Sequence, residues 1–366
     1  CEMVRCFSAG IGGLFAAWFA SSAIAGDTVA VQPPAPNSPD EPLAKELSLP
    51  RAAEFLDSVA VTWTRERKCG TFHTNYAYLF ARPALIAPSG SASPAVPASP
   101  ALAEVRKFFE DRAANWETAK PKWDTEVVAT AAALAFNDAQ TTGKLHPMTR
   151  RALDKMWTLQ KEDGAWDWLK CDWPPMEHDD YFGAAYAAVG VGNAPEGYAS
   201  SGAARAGLEK LRAYFKTHPA QDLHHRAMLL WASAKLDGLM TAAERETTIK
   251  DLRALQKPDG SWGLPSLASW KRHDGTPNDP NGPGDGYGTG FVMYVLRQAG
   301  VPENEAAIQR GIAWLKTHQR VSGRWFTRSP STDSHHFITH AGTAYAVMAL
   351  AACNHTEIQI PIDTLK

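Results

Sequence analysis

Apolar positions along this chain alternate between two kinds of stretch. In Arg151–Leu159, Ile249–Leu255 and Arg310–His318 they recur at three- and four-residue spacings, as with Ile308, Ile312 and Leu315. That spacing predicts amphipathic helices with one buried face. Between them lie Val127–Phe136, Phe182–Val191, Ala227–Leu236, Phe291–Ala299 and Ala341–Ala352, which are apolar around most of their circumference and rich in Ala. Such helices are buried on several sides. The alternation predicts an all-α chain of outer and inner helices. Leu102–Trp116 and Ala203–Lys216 supply two weaker outer helices, giving five pairs from 101 to 353. A sixth pair is expected from 42–66 and 73–81. Residues 86–101, rich in Pro, Ala and Ser, read as a surface loop.

Three outer stretches end in the same seven-residue pattern: Gln160 to Gly164 and Trp166, Gln256 to Gly260 and Trp262, and Gln319 to Gly323 and Trp325. Gly supplies the turn that stops each helix. A repeat of this kind dictates architecture. The third copy continues upstream through Arg310-Gly311 and Trp314-Leu315. It resembles the QW motif of squalene-hopene and oxidosqualene cyclases, and Gly288-Thr289-Gly290-Phe291 resembles a cyclase segment that opens an inner helix. The resemblance covers about residues 100–353. It implies an α/α toroid of five to six antiparallel hairpins, as in terpenoid cyclases and protein prenyltransferase β-subunits. It also implies that the Gln and Trp of each repeat tie neighbouring outer helices together. A fold of this kind does not specify its reaction.

Polar residues gather where the inner helices begin. They are Asp124 and Glu126; Glu177, His178, Asp179, Asp180 and Tyr181; His224 and His225; Asp285 and Tyr287; and His335, His336 and His340. An alternating hairpin ring would bring all of these to one mouth. Glu177-x-Asp179-Asp180 resembles the Asp-x-Asp-Asp motif of class II terpene cyclases, which assigns the initiating acid to Asp179, with Glu177, His178 and Asp180 beside it. Clustered carboxylates can retain a proton because they do not all ionise cheaply. The competing reading of Asp179 is a helix cap. Asp285, Tyr287, His335, His336, His340, Asp124 and Trp270 are the expected substrate-binding residues. Trp270–Asp285 reads as a lid.

Two cofactor readings stand beside this one, in which no cofactor is needed. His336 and His340, four apart, with Asp285, form a candidate zinc set. Cys69-x-x-x-His73 has the outline of a c-type haem attachment motif with Phe72 in place of the second Cys.

The near-balanced charge of −2 and the absence of a long basic run argue against nucleic acid as a partner. Thirteen Trp suggest a packed core or an aromatic pocket. Residues 1–25 read as a signal peptide: Met3, Val4 and Arg5 open it, Ile11–Ala20 is apolar, and Ala23-Ile24-Ala25 fits a cleavage site. The other reading is an N-terminal membrane anchor. Residues 26–42 read as a Pro-rich linker, 43–100 as an N-terminal helical segment, and 101–366 as the toroid. After cleavage Cys69, Cys171 and Cys353 remain, enough for one disulfide and one free thiol. The functional expectation is an exported toroid performing proton-initiated cyclisation or isomerisation of an isoprenoid or lipid, with a small hydrophobic ligand and a membrane surface as candidate partners. The alternatives are a non-catalytic ligand- or partner-binding toroid and a carbohydrate-active toroid enzyme. An apolar, aromatic, deep pocket favours the first, a filled barrel the second, and a shallow, open cleft with Trp platforms the third.

Overall fold

A computed structural model describes residues 30–86, 99–116 and 124–354. The expected signal peptide and most of the Pro/Ala/Ser loop lie outside these residues. Among the described residues the regular structure is helical, with only isolated β-bridges. No helix there is long and apolar enough to cross a membrane.

The helices pair as α1 (Leu49–Arg67) with α2 (Ala77–Ala81), α3 (Pro100–Asn115) with α4 (Asp124–Thr141), and α5 (Pro147–Thr158) with α6 (Asp180–Asn193). The second half pairs α7 (Gly202–Thr217) with α8 (Leu223–Ala232), α9 (Ala242–Ala254) with α10 (Gly286–Gln298), and α11 (Ala306–Thr317) with α12 (Ile338–Ala352). A turn of π-helix at Phe72–Tyr76 leads into α2. The inner helices pack in a closed circuit: α2 on α4, α4 on α6, α6 on α8, α8 on α10, α10 on α12, and α12 back on α2. The hairpin of α1 and α2, in the N-terminal segment expected to supply a sixth pair, therefore closes the ring.

The inner helices can sit this close because small residues face one another. A Cβ on Gly290 would lie 2.4 Å from the Ala346 nitrogen, and one on Gly190 would lie 2.4 Å from Cα of Ala132. Gly290 thus belongs to the α10–α12 seam. Aromatic rings fill the bore. Phe80 stacks on Phe136 at 4.4 Å, and Trp231 meets Tyr294 at 5.1 Å. Tyr345 meets Tyr287 at 5.0 Å and Phe291 at 5.2 Å. All seven are buried.

The three repeats are fasteners with one shared geometry. The indole N–H of Trp166, Trp262 and Trp325 donates to the carbonyl ten residues earlier, on Met156, Leu252 and Leu315. Each bond satisfies a carbonyl near the end of a helix, where the backbone runs out of partners. The side-chain amides of Gln160, Gln256 and Gln319 donate to their own repeat's Gly carbonyl and to a second carbonyl on Gly207, Ala307 and Ser48. Each second bond reaches the next outer helix, and the third reaches across the ring closure to the start of α1.

The segment expected to be a linker is instead docked. Glu41 pairs with the buried Arg324 at 2.8 Å. The Arg324 guanidinium also donates to the Ala35 and Pro36 carbonyls and to Oδ1 of Asn37. The Val321 and Ala44 backbone N–H groups bond to Pro42 and Gln319. Residues 35–44 thus strap the third repeat.

Candidate functional site

Four segments enclose a cavity of about 410 Å³ at one end of the ring. They are the end of α1, the π-helical turn, the stretch Trp173–Glu177, and the loop Ser329–Phe337. Its walls are mainly aromatic and apolar, with Trp63, Phe72, Trp173, Met176 and Phe337 prominent. The size and lining are those of a small-molecule site.

Glu177 is the carboxylic acid in this wall among the described residues. Its backbone is held in a tight hairpin by reciprocal bonds with Trp173, 3.0 Å and 3.3 Å long. The side chain is buried and makes no hydrogen bond or ion pair with any described residue. Burial alone pushes its pKa up to about 7. A buried acid without a protein partner, facing an apolar cavity, holds its proton near neutrality.

Asp179, two residues on, does not hold its proton. It caps α6, with Oδ1 accepting from the Phe182 N–H at 2.9 Å, and Oδ2 lies 3.0 Å from Nε2 of His225. Burial favours the neutral acid, but the His225 hydrogen bond and charge outweigh it, and the pKa falls below the usual carboxylate value. His225 is shifted the other way: burial opposes its charge, yet Asp179 and Asp222 raise its pKa overall. Asp179 also lies outside the cavity wall. The assignment of the initiating acid to Asp179 is therefore corrected: the residue is a cap and an ion-pair partner. Asp180 is likewise committed, accepting from the Trp168 N–H and pairing with Lys161 at 3.1 Å and Lys170 at 3.3 Å. His178 lies 3.7 Å from Asp172, away from the cavity wall.

The other expected residues scatter. His335 lines the cavity and stacks on Phe337. Asp124 opens α4, and burial together with Asp167 raises its pKa. Asp285 caps α10: it accepts from Gly288 at 2.8 Å and Leu264 at 2.6 Å, and burial pushes its pKa up to about 6 against those bonds. Tyr287 sits in the bore, its hydroxyl 3.0 Å from Nε2 of His224. Trp270 borders a different cavity, of about 460 Å³, beside Arg272 and Asn278. The lid segment is pinned rather than free. The buried Arg272 donates to the Ser329 carbonyl and pairs with Asp333, and His273 reaches the Asp172 carbonyl at 2.7 Å.

The zinc set does not assemble. His336 accepts from the Ser329 N–H, His340 bonds Thr74 and Asn37, and Asp285 caps α10. No metal-binding group of three His, Cys, Asp or Glu occurs among the described residues. The haem reading fails at Cys69, whose sulfur, like that of Cys171, is in a disulfide bond and so cannot form a thioether. Cys353 is the free, buried thiol.

Sequence reasoning missed His73's real setting. Nδ1 lies 2.7 Å from Oγ1 of Thr74, which lies 2.9 Å from Nδ1 of His340. Nε2 of His340 is 3.2 Å from Nδ2 of Asn37. The His73 ring stacks on Phe337 and meets Trp63 edge-on, lining the same cavity as Glu177. Burial lowers its pKa to about 3, so it is neutral. The sequence singled out His73, Glu177 and His335 separately, and the further signal available for this site was the pattern Trp173-Pro-Pro-Met-Glu177, aromatic and turn-forming before an acid.

These features define a single closed α/α toroid with a filled bore and an aromatic mouth cavity carrying one unpartnered acid. The family model of the squalene-hopene cyclase C-terminal domain matches residues 213–362. The likeness to that domain covers the second half of the ring, from the end of α7 through α12. A search of curated proteins gives no match.

Proposed function

We propose that this chain is an exported, squalene-cyclase-like toroid that holds a small apolar or isoprenoid ligand in the mouth cavity, where Glu177 acts as the initiating acid. The observation that carries the reading is the Glu177 carboxyl, buried in an aromatic wall without a partner among the described residues. Such a group donates a proton readily at neutral pH. In the step, the Glu177 O–H bond breaks and a C–H bond forms on the ligand alkene. The resulting cation faces Trp63, Phe72, Trp173 and Phe337, whose ring faces stabilise positive charge. Loss of a proton from a neighbouring carbon then returns one to Glu177, and the net reaction is an isomerisation or cyclisation.

The test is incubation of the protein with short isoprenoid alkenes and alcohols in deuterated water, followed by mass spectrometry. Glu177→Gln should abolish deuterium incorporation while Asp179→Asn retains it. Incorporation that survives Glu177→Gln would end the acid assignment.

A second reading, a binding toroid without turnover, is favoured by the filled bore, which leaves the mouth cavity rather than the ring's centre for a ligand. It predicts ligand binding with no deuterium exchange in any variant.

A further inference from the structure

The hydrogen-bond chain ending at His73 has a direction, and Asn37 sets it. The Asn37 amide is oriented from both sides: Oδ1 accepts from Arg324 at 2.7 Å, and Nδ2 donates to the His335 carbonyl at 3.0 Å. The remaining Nδ2 hydrogen therefore points along the 3.2 Å contact to Nε2 of His340, which must accept. A neutral His340 that accepts at Nε2 carries its proton on Nδ1 and donates to Thr74 Oγ1. The Thr74 hydroxyl then donates to Nδ1 of His73. His73 is left with its proton on Nε2, a nitrogen with no hydrogen-bond partner among the described residues.

The cavity thus holds two neutral donors, the His73 Nε2–H and the Glu177 O–H, in a mainly aromatic and apolar wall that also carries the Trp63 and Trp173 indoles and the Thr71, Ser331 and Ser334 hydroxyls. The charged group in the lining besides Glu177 is Arg67, which lies over the Trp63 ring at 5.6 Å, and His335 is exposed beside the cavity. An apolar wall with two uncharged donors complements an apolar molecule bearing an uncharged oxygen acceptor. The geometry points to a ketone, aldehyde or ether of hydrocarbon character as the ligand class, in preference to a pure hydrocarbon, with Asn37, His340 and Thr74 as positioning residues for the His73 donor. This rests on the mouth cavity being the ligand site, as proposed above, and specifies what the ligand must carry.

The experiment compares 4-tert-butylcyclohexanone with tert-butylcyclohexane, two molecules of similar shape, by calorimetry on the intact protein. At about pH 6, where Glu177 keeps its proton, the ketone should bind about tenfold tighter, the worth of one to two neutral hydrogen bonds. Raising the pH through about 7 should erode the preference as Glu177 ionises. The other titratable groups lining the cavity are Arg67 from α1, His73 from the π-helical turn and His335 from the loop, and Tyr76 of the same turn lies near enough to interact electrostatically with Glu177. His73 and Tyr76 keep their neutral forms across that range.

Asn37→Asp reverses the chain, because a carboxylate accepts from His340 Nε2–H. Nitrogen NMR of His73 should then show its proton moved to Nδ1, with the ketone preference lost. His73→Phe gives the same comparison if Asn37→Asp does not fold. Equal binding of the two molecules at pH 6 overturns the inference while leaving the apolar-site reading standing. A wild-type His73 protonated at Nδ1, or a preference that survives both variants, also overturns it. If neither molecule binds, both this inference and the function proposed above are overturned.

Discussion

Oδ2 of Asp179 lies 3.0 Å from Nε2 of His225, joining the N-cap of α6 to the first turn of α8. The two groups shift each other in opposite directions, Asp179 downward and His225 upward. The carboxylate's contribution is present above its unfolded pKa and is lost as pH falls through its lowered folded value. The imidazolium's contribution is full below its unfolded pKa and is lost as pH rises through its raised folded value. Their joint stabilisation should therefore be greatest between about pH 4 and about pH 6.5. Asp179→Asn, which keeps a cap oxygen, should cost about 1 kcal/mol in that window and less at higher pH. Urea unfolding at several pH values measures it, and a cost independent of pH would refute the ion pair.

Glu177 behaves in the reverse sense. Its folded pKa, about 7, is above the ordinary glutamate value, so the folded state binds the proton more tightly. The fold is then relatively most stable at low pH and loses that advantage as pH rises toward about 7. Glu177→Gln should raise stability by about 2 kcal/mol at pH 8 and change it little at about pH 4. A variant that is less stable at pH 8 would show that the carboxylate has a stabilising partner.

Gly323 is the strictest position of the third repeat. Its φ is +94°, and a Cβ there would lie 2.3 Å from the Arg51 carbonyl atoms at the start of α1. Gly323→Ala should destabilise the ring by about 3 kcal/mol or more, combining backbone strain with overpacking. Gln319→Ala removes the amide that bonds the Gly323 and Ser48 carbonyls and the Oε1 that accepts from the Ser48 N–H. Its cost should be about 2 kcal/mol. Thermal unfolding of both variants checks the ranking, and a silent Gly323→Ala would remove the case for a tight α11–α1 seam.

The strap at 35–44 should also be measurable. Arg324 is almost fully buried and pairs with Glu41 at 2.8 Å. Glu41→Ala leaves that guanidinium without its carboxylate, which should cost about 3 kcal/mol. Limited proteolysis should then cut the strap faster than in the parent protein. Unchanged cleavage would mean that the backbone bonds at Pro42 and Ala44 suffice to hold it.

The ring was legible because it is built from local rules. The three- and four-residue spacing marked the outer helices, the all-round apolar stretches marked the inner ones, and Gly164, Gly260 and Gly323 marked the stops. The sixth hairpin was harder to read because its inner half is a π-helical turn joined to the short α2, which carries no long periodic pattern. The strap was hidden for another reason. Pro-rich composition describes a chain without its own helix, but docking depends on Arg324, nearly three hundred residues away.

The site divides the same way. The sequence by itself determined which polar residues stand at the inner-helix starts, and it raised Asp179 as either acid or cap. Protonation is set by surroundings that sequence does not print. Asp179 meets His225 and ionises, while Glu177, two residues away, turns into an aromatic cavity and meets no partner among the described residues. Only the tertiary structure could separate them, because the free energy of a charge depends on the dielectric and the partners that packing brings within a few ångströms.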